Sequence, residues 1–164
     1  MPFRDTLADY RRSGSYRLDD AKELLERPSL NSNASDSEFR HLRGAMYLAG
    51  YAVECILKAY MIQYIGTQTL GSAVDRLNAR RHSKGIEPVE NIARSAAGHR
   101  IMYLLQLTDL FQKPGYDQQI WGRVARWTSS WRYETDRVER DQAIQFVRDV
   151  EAVVKWVSSK VTGG

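Results

Sequence analysis

Residues Arg43 to Gln63 read RGAMYLAGYAVECILKAYMIQ. Between Gly44 and Ile62 the only charges are Glu54 and Lys58. The stretch is long enough for a membrane span, but two features argue against one. Glu54 and Lys58 stand four apart, so they share a helix face and can pair, and an ion pair near mid-bilayer is costly. The flanks also lack an aromatic belt. A helix apolar almost all round is then the buried centre of a helical domain, and no membrane contact is expected. Leu42, Met46, Ala49, Val53, Ile56 and Tyr60 form one stripe at alternating spacings of four and three. Gly44, Ala45, Ala49, Gly50 and Ala52 remove bulk and predict close approach of neighbours. Each glycine costs roughly 1 kcal/mol of helix propensity relative to alanine, so packing outweighs propensity there.

Upstream, Thr6 to Glu26 reads as helix, with a break near Ser13-Gly14-Ser15, an apolar face of Leu18, Ala21, Leu24 and Leu25, and a stop at Pro28. LNSNASDS is a polar loop. Ser35 with Glu38 is a capping-box pattern that starts the central helix, and Gly66 closes it. Downstream, residues 67–98 form a long, irregular insert, with short helices expected over Ala73–Arg81 and Val89–Ala96. Arg76, Arg80, Arg81, His82 and Lys84 make a basic run there, read as a solvated face in preference to an anion site.

His99 opens a helix, HRIMYLLQLTDLF, that Pro114-Gly115 breaks. Asp117 caps the next helix, QQIWGRVARWTSSW, whose Arg123, Trp127 and Trp131 share one face. Asp136 and Glu139 make a second capping pair, ahead of a last helix from about Arg137 to Lys160. Its apolar positions, Ala143, Val147, Val150, Val154, Val157 and Val161, repeat at four and three. No segment alternates as a strand does. The expected fold is all-α: an up-and-down bundle of about five main helices in a single domain spanning 1–164.

Composition narrows the function classes. The 164-residue chain has a net charge of +4, compatible with an anionic partner. Its one cysteine, Cys55, rules out an internal disulfide and points to a reducing, cytoplasmic setting. The start, MPFRDTLADYRR, lacks the apolar core of a signal peptide. There is no zinc-ligand spacing and no glycine-rich phosphate loop, so neither a metal nor a cofactor is expected.

Several side chains are candidates for chemistry. Glu54 lies deep in an apolar run and needs a partner, because an unpaired buried charge is very costly. Lys58 can supply it at the bundle surface, or Glu54 can orient a basic residue such as Arg132. His99 is a cap or an acid–base group. Trp127, Trp131, Arg132 and Tyr133 are the densest aromatic–cation cluster, suited to packing or to holding a base and a phosphate. If a pocket exists, it is expected where Glu54, Lys58, His99, Trp131, Arg132 and Tyr133 converge.

Three stretches in order resemble the HEPN family, named for a nucleotide-binding domain of higher eukaryotes and prokaryotes. They are AVECILKA (Ala52 to Ala59), His99 with Ile101, Leu104 and Leu105, and WTSSWRYE (Trp127 to Glu134). The resemblance runs from about Tyr16 to Trp156. It implies a helical bundle that commonly dimerises, among RNA-cleaving toxins, nucleotide binders and companions of nucleotidyltransferases. The RNA-cleaving members place an Arg four to six residues before a His near the start of a late helix. No histidine follows Arg132, whereas Arg94 and His99 match the spacing, as do Arg76 and His82. Three functions are carried forward. The first is a non-catalytic module that binds a nucleotide or RNA and works with a partner, a nucleotidyltransferase or an antitoxin in a toxin–antitoxin or defence setting. The second is a metal-independent endoribonuclease toxin using Arg94 and His99. The third is a structural homodimerisation domain.

Overall fold

A computed structural model describes residues 4–26, 35–90, 92, 96–134 and 136–161, with backbone alone at 35–40 and 96. Among the described residues there are six α-helices: α1 (Leu7–Glu26), α2 (Ser35–Ile65), α3 (Leu70–His82), α4 (Ile101–Gln106), α5 (Gln118–Val124) and α6 (Arg140–Ser158). Among the described residues there is no strand; one isolated bridge joins Thr6 to Thr69. The all-α bundle expected from periodicity is the observed class. Its frame is three long helices, α1, α2 and α6, with the short ones filling the sides.

α2 is the axis. α1 and α6 pack along it, and α3 and α4 also rest on it. Ala45, Ala49, Ala52, Val53, Leu57 and Ala59 are fully buried. The stretch His41–Ile65 is apolar and long enough to cross a membrane, but 83% of its most apolar 18 residues is buried inside the protein. Small residues do admit neighbours, though not as expected at Gly50. A Cβ there would lie 2.0 Å from Cδ1 of Trp127, so this glycine makes room for a side chain. Trp127 is 2% exposed, and its Nε1 donates to the Tyr47 carbonyl at 3.1 Å.

α1 is unbroken through Ser13-Gly14-Ser15, because Gly14 is buried against Ala52 and Cys55 of α2 and packing overrides its weak propensity. Pro28 and most of LNSNASDS lie outside the described residues. α2 starts at Ser35 and ends as expected: Gly66 takes φ +76°, and its N–H donates to the Ile62 and Gln63 carbonyls.

The 67–98 insert contains α3, capped by the Thr69 hydroxyl, which accepts from Ser72 N at 3.2 Å. Leu70, Ala73 and Val74 bury its inner face. Arg76 is not simply solvated. Its Nη1 donates to the carbonyls of Ile65 (3.3 Å) and Gly66 (2.7 Å), a cation where the α2 dipole ends. Arg80, His82 and Lys84 are exposed, as a solvated face should be. Of the helix expected over Val89–Ala96, residues 91 and 93–95 lie outside the described residues, and the others are not α-helical: Val89 and Glu90 are irregular, Ile92 is in a turn and Ala96 opens a 3-10 turn. Val89 and Ile92 are buried.

Two helices are shorter than their sequence patterns. The segment from His99 divides into a 3-10 turn at Ala96–His99, α4, and a second turn at Leu110–Gln112. Asp117 does cap α5, accepting from Gln119 N at 2.9 Å and Ile120 N at 3.0 Å. α5 ends at Val124, however, so Arg123, Trp127 and Trp131 do not share a helical face. Burying Trp127 on α2 turns the chain away. Trp131 sits on a 3-10 turn, Ser129–Tyr133. α6 begins at Arg140 with Glu139 as its N-cap residue and no side-chain cap, so the expected Asp136 and Glu139 capping pair does not form.

Candidate functional site

The six residues expected to converge divide into two groups. Glu54, Lys58 and His99 form the first. One helical turn separates Glu54 from Lys58, and Lys58 Nζ donates to Glu54 Oε1 at 2.6 Å. The other carboxylate oxygen, Oε2, meets His99 Nδ1 at 2.9 Å. Glu54 is 1% and Lys58 6% exposed, so this pair lies in the interior and not at the bundle surface. On its far side the Lys58 ammonium stands 5.7 Å from the centre of the Tyr10 ring. The Tyr10 hydroxyl donates to Asp5. Burial and that hydrogen bond push the Tyr10 pKa up. The Glu54 charge adds to burial in raising the Tyr51 phenol and the Cys55 thiol, each to about 12. Cys55 is therefore a buried thiol without nucleophilic character.

His99 is the only member of this group that reaches solvent, with 41% of its side chain exposed. It ends the 3-10 turn before α4. A carboxylate only accepts hydrogen bonds, so Nδ1 carries the proton and Nε2 faces outward. Arg94, the other half of the expected cleavage pair, lies outside the described residues.

Trp131, Arg132 and Tyr133 lie elsewhere. Trp131 packs on Phe146, ring centroids 5.3 Å apart, beneath the Arg43 guanidinium at 5.6 Å. Arg132 and Tyr133 are exposed and stack on each other, 4.4 Å from guanidinium to ring centre. Arg43 and Glu54 are eleven positions apart on α2, which is roughly 16 Å at 1.5 Å per residue. Glu54 therefore does not orient Arg132; Lys58 and His99 occupy its two oxygens instead.

Around Trp131 the structure holds a cavity of about 330 Å³, which the sequence did not reveal. Its walls include Arg43, Arg123, Arg126 and Arg137, together with Trp131 and Phe146. Asp149 orients one of the four: it accepts from Arg123 Nε at 2.6 Å and Nη2 at 3.0 Å, and from Gln145 Nε2 at 3.0 Å. The one local hint was the Arg123–Arg126 spacing. Arg43 and Arg137 come from distant segments that no pattern connects.

A family model described as HEPN domain matches residues 7–160, nearly the whole chain. The chain belongs to the HEPN family. The central-helix Glu54 and Lys58 and the His99 of the resemblance are the residues that meet in this HEPN bundle. Comparison with curated proteins and with solved structures found no match.

Proposed function

We propose that this HEPN module binds a nucleotide or RNA through the surface at His99 without cleaving it, and that it works with a partner protein. The observation that carries the reading is the Glu54–His99 contact. A buried carboxylate, already neutralised by Lys58, holds one imidazole so that a single ring nitrogen faces solvent. That geometry suits hydrogen bonding to a phosphate or a base edge. Among the described residues no second acid or base stands beside Nε2, which favours binding over cleavage. The partner is a nucleotidyltransferase or an antitoxin, and the module pairs as a homodimer. Titration with a short single-stranded RNA tests the reading. Wild type should bind without producing fragments, and His99→Gln should weaken binding at least tenfold. Equal affinity of the two proteins would defeat it. Light scattering at micromolar concentration should give the mass of two chains.

Endoribonuclease activity is the second reading, favoured by the same carboxylate-held imidazole, an arrangement also found in acid–base sites. Arg94 would then steady the scissile phosphate. Cleavage by wild type that disappears in both Arg94→Ala and His99→Ala, with melting temperatures unchanged, would replace binding with catalysis.

A further inference from the structure

The His99 surface and the cavity beside Trp131 are joined along one side of α2. We infer that the ligand of the His99 surface, on the reading proposed above, is a single RNA strand several nucleotides long, which follows this side of α2 over Tyr51 and Tyr47 and seats one base in the cavity against Trp131.

Helix register comes first. Arg43, Tyr47, Tyr51 and Glu54 follow one another at steps of four, four and three, which keeps them on one side of α2. On the opposite side Ala45, Ala49 and Ala52 are fully buried, whereas Tyr47 and Tyr51 are only partly covered. The two tyrosine rings stack, with centroids 6.4 Å apart and planes at 22°. Trp127 supports them from Gly50, its ring 6.1 Å from that of Tyr47. Arg17 of α1 borders the strip: its guanidinium stands 6.0 Å from the centre of the Tyr51 ring and 3.5 Å from Asp20. Aromatic rings beside a cation suit unpaired bases, and suit them whatever their identity, because every base has a π-face. The strip is therefore matched to a single strand and tolerant of its sequence.

Each end of the strip offers a different contact. At one, Glu54 holds His99 so that Nε2 faces outward. At the other, Trp131 is partly uncovered where it packs on Phe146, and both rings line the cavity of about 330 Å³. That volume is at the lower end of the range for small-molecule sites, so the cavity admits one nucleotide unit and not several. Gln142 on the same wall offers an amide to a base edge. Arg126 at the cavity is exposed and makes no ion pair among the described residues, which leaves its paired N–H donors for a backbone phosphate.

The helix sets the length of strand. Arg43 and Glu54 are roughly 16 Å apart along α2. Stacked nucleotides advance about 3.4 Å each, so a strand of about five or six reaches from one end to the other. A dinucleotide reaches one end alone.

Calorimetric titration of the full chain with uridine di- and hexanucleotides tests the track. The hexanucleotide should bind at least tenfold more tightly than the dinucleotide. Tyr51→Leu and Arg126→Ala should each weaken hexanucleotide binding at least fivefold with the helical circular dichroism intact, and Tyr51→Phe, which keeps the ring, should stay within twofold. Arg126 is exposed, so its variant keeps the test decisive even where Tyr51→Leu unfolds. Equal affinity for the two lengths would overturn the inference, as would hexanucleotide affinity within twofold of wild type in Arg126→Ala or in a folded Tyr51→Leu. If His99→Gln still weakened binding in those cases, the His99 reading would stand and the track alone would fall. A hexanucleotide affinity unchanged in His99→Gln would overturn both. Light scattering covers the other occupant of the strip, a second copy of the chain: a Tyr51→Leu protein reduced to the mass of one chain, with hexanucleotide affinity unchanged, would assign the tyrosines to pairing and overturn the track.

Discussion

Arg43 and Glu54 leave the same face of α2, since eleven residues fall within about 20° of three full helical turns. Their surroundings are opposite. Glu54 is buried and both of its oxygens are taken, by Lys58 at 2.6 Å and His99 at 2.9 Å. Arg43 borders an open cavity in which cations outnumber acids. Trp127 separates the two, seated on Gly50. Charge sealed inside must be balanced by the protein itself. The first arrangement bears on folding, whereas the second leaves guanidinium groups at an open cavity, and substitutions can separate the two.

The largest stability loss is expected from Glu54→Gln, which leaves Lys58 buried without a counter-charge. Breaking a buried pair costs roughly 3–5 kcal/mol. Urea unfolding of Glu54→Gln alone and in a Lys58→Met background measures it. The loss should shrink in the double variant, because no buried cation is then left unpaired. An unchanged midpoint for Glu54→Gln would mean that the two ends of the helix face are alike after all.

Gly50→Ala comes next. The added methyl would meet Trp127 at 2.0 Å, and overpacking of this kind costs roughly 1–3 kcal/mol, more than the helix-propensity gain of about 1 kcal/mol. Gly71→Ala is the control: a Cβ there meets nothing within 4 Å, so thermal melting should show a gain or no change.

Alkaline pH should act on the buried end, where the Cys55 thiol and the Tyr51 phenol lie. Cys55 and Tyr51 hold their protons to about pH 12 in the folded chain, whereas an unfolded cysteine titrates near 9 and an unfolded tyrosine near 10. Above pH 9 the unfolded chain releases protons that the folded chain keeps, so stability falls as pH rises from 9 toward 12. Between pH 8 and pH 10 the loss should be roughly 1–2 kcal/mol, and Cys55→Ala should flatten the slope.

The smallest stability effect belongs to the open end. Arg126→Ala should change unfolding by no more than about 0.5 kcal/mol, as expected of an exposed side chain outside any buried network. A large loss there would show that the cavity arginines serve the fold.

The stripe on α2 and the repeat on α6 were legible because each helix must bury one face, and the spacing of apolar residues records which face that is. The Glu54–Lys58 pair was legible for a related reason: a carboxylate four before a lysine in an apolar run has its partner one turn away. The expected Glu54–Arg132 contact had no such basis. It required knowing how far the 3-10 turn at Ser129–Tyr133 lies from the middle of α2. The early end of α5 at Val124 was equally hidden, because Trp127 gains more by burial on Gly50 than the helix gains by continuing.

By itself the sequence determined the helical class, the central place of α2, the Gly66 and Asp117 termini, and the need for Glu54 to find a partner. All of these follow from neighbours within one or two helical turns, or from the cost of burying charge. Only the tertiary structure decided that His99 completes the Glu54 pair, that Arg132 stands apart from it, and that Arg43, Arg123, Arg126 and Arg137 face one cavity. Those groupings reach across 45 positions from Glu54 to His99 and 94 from Arg43 to Arg137, and their meeting depends on how helices pack, which no local spacing encodes.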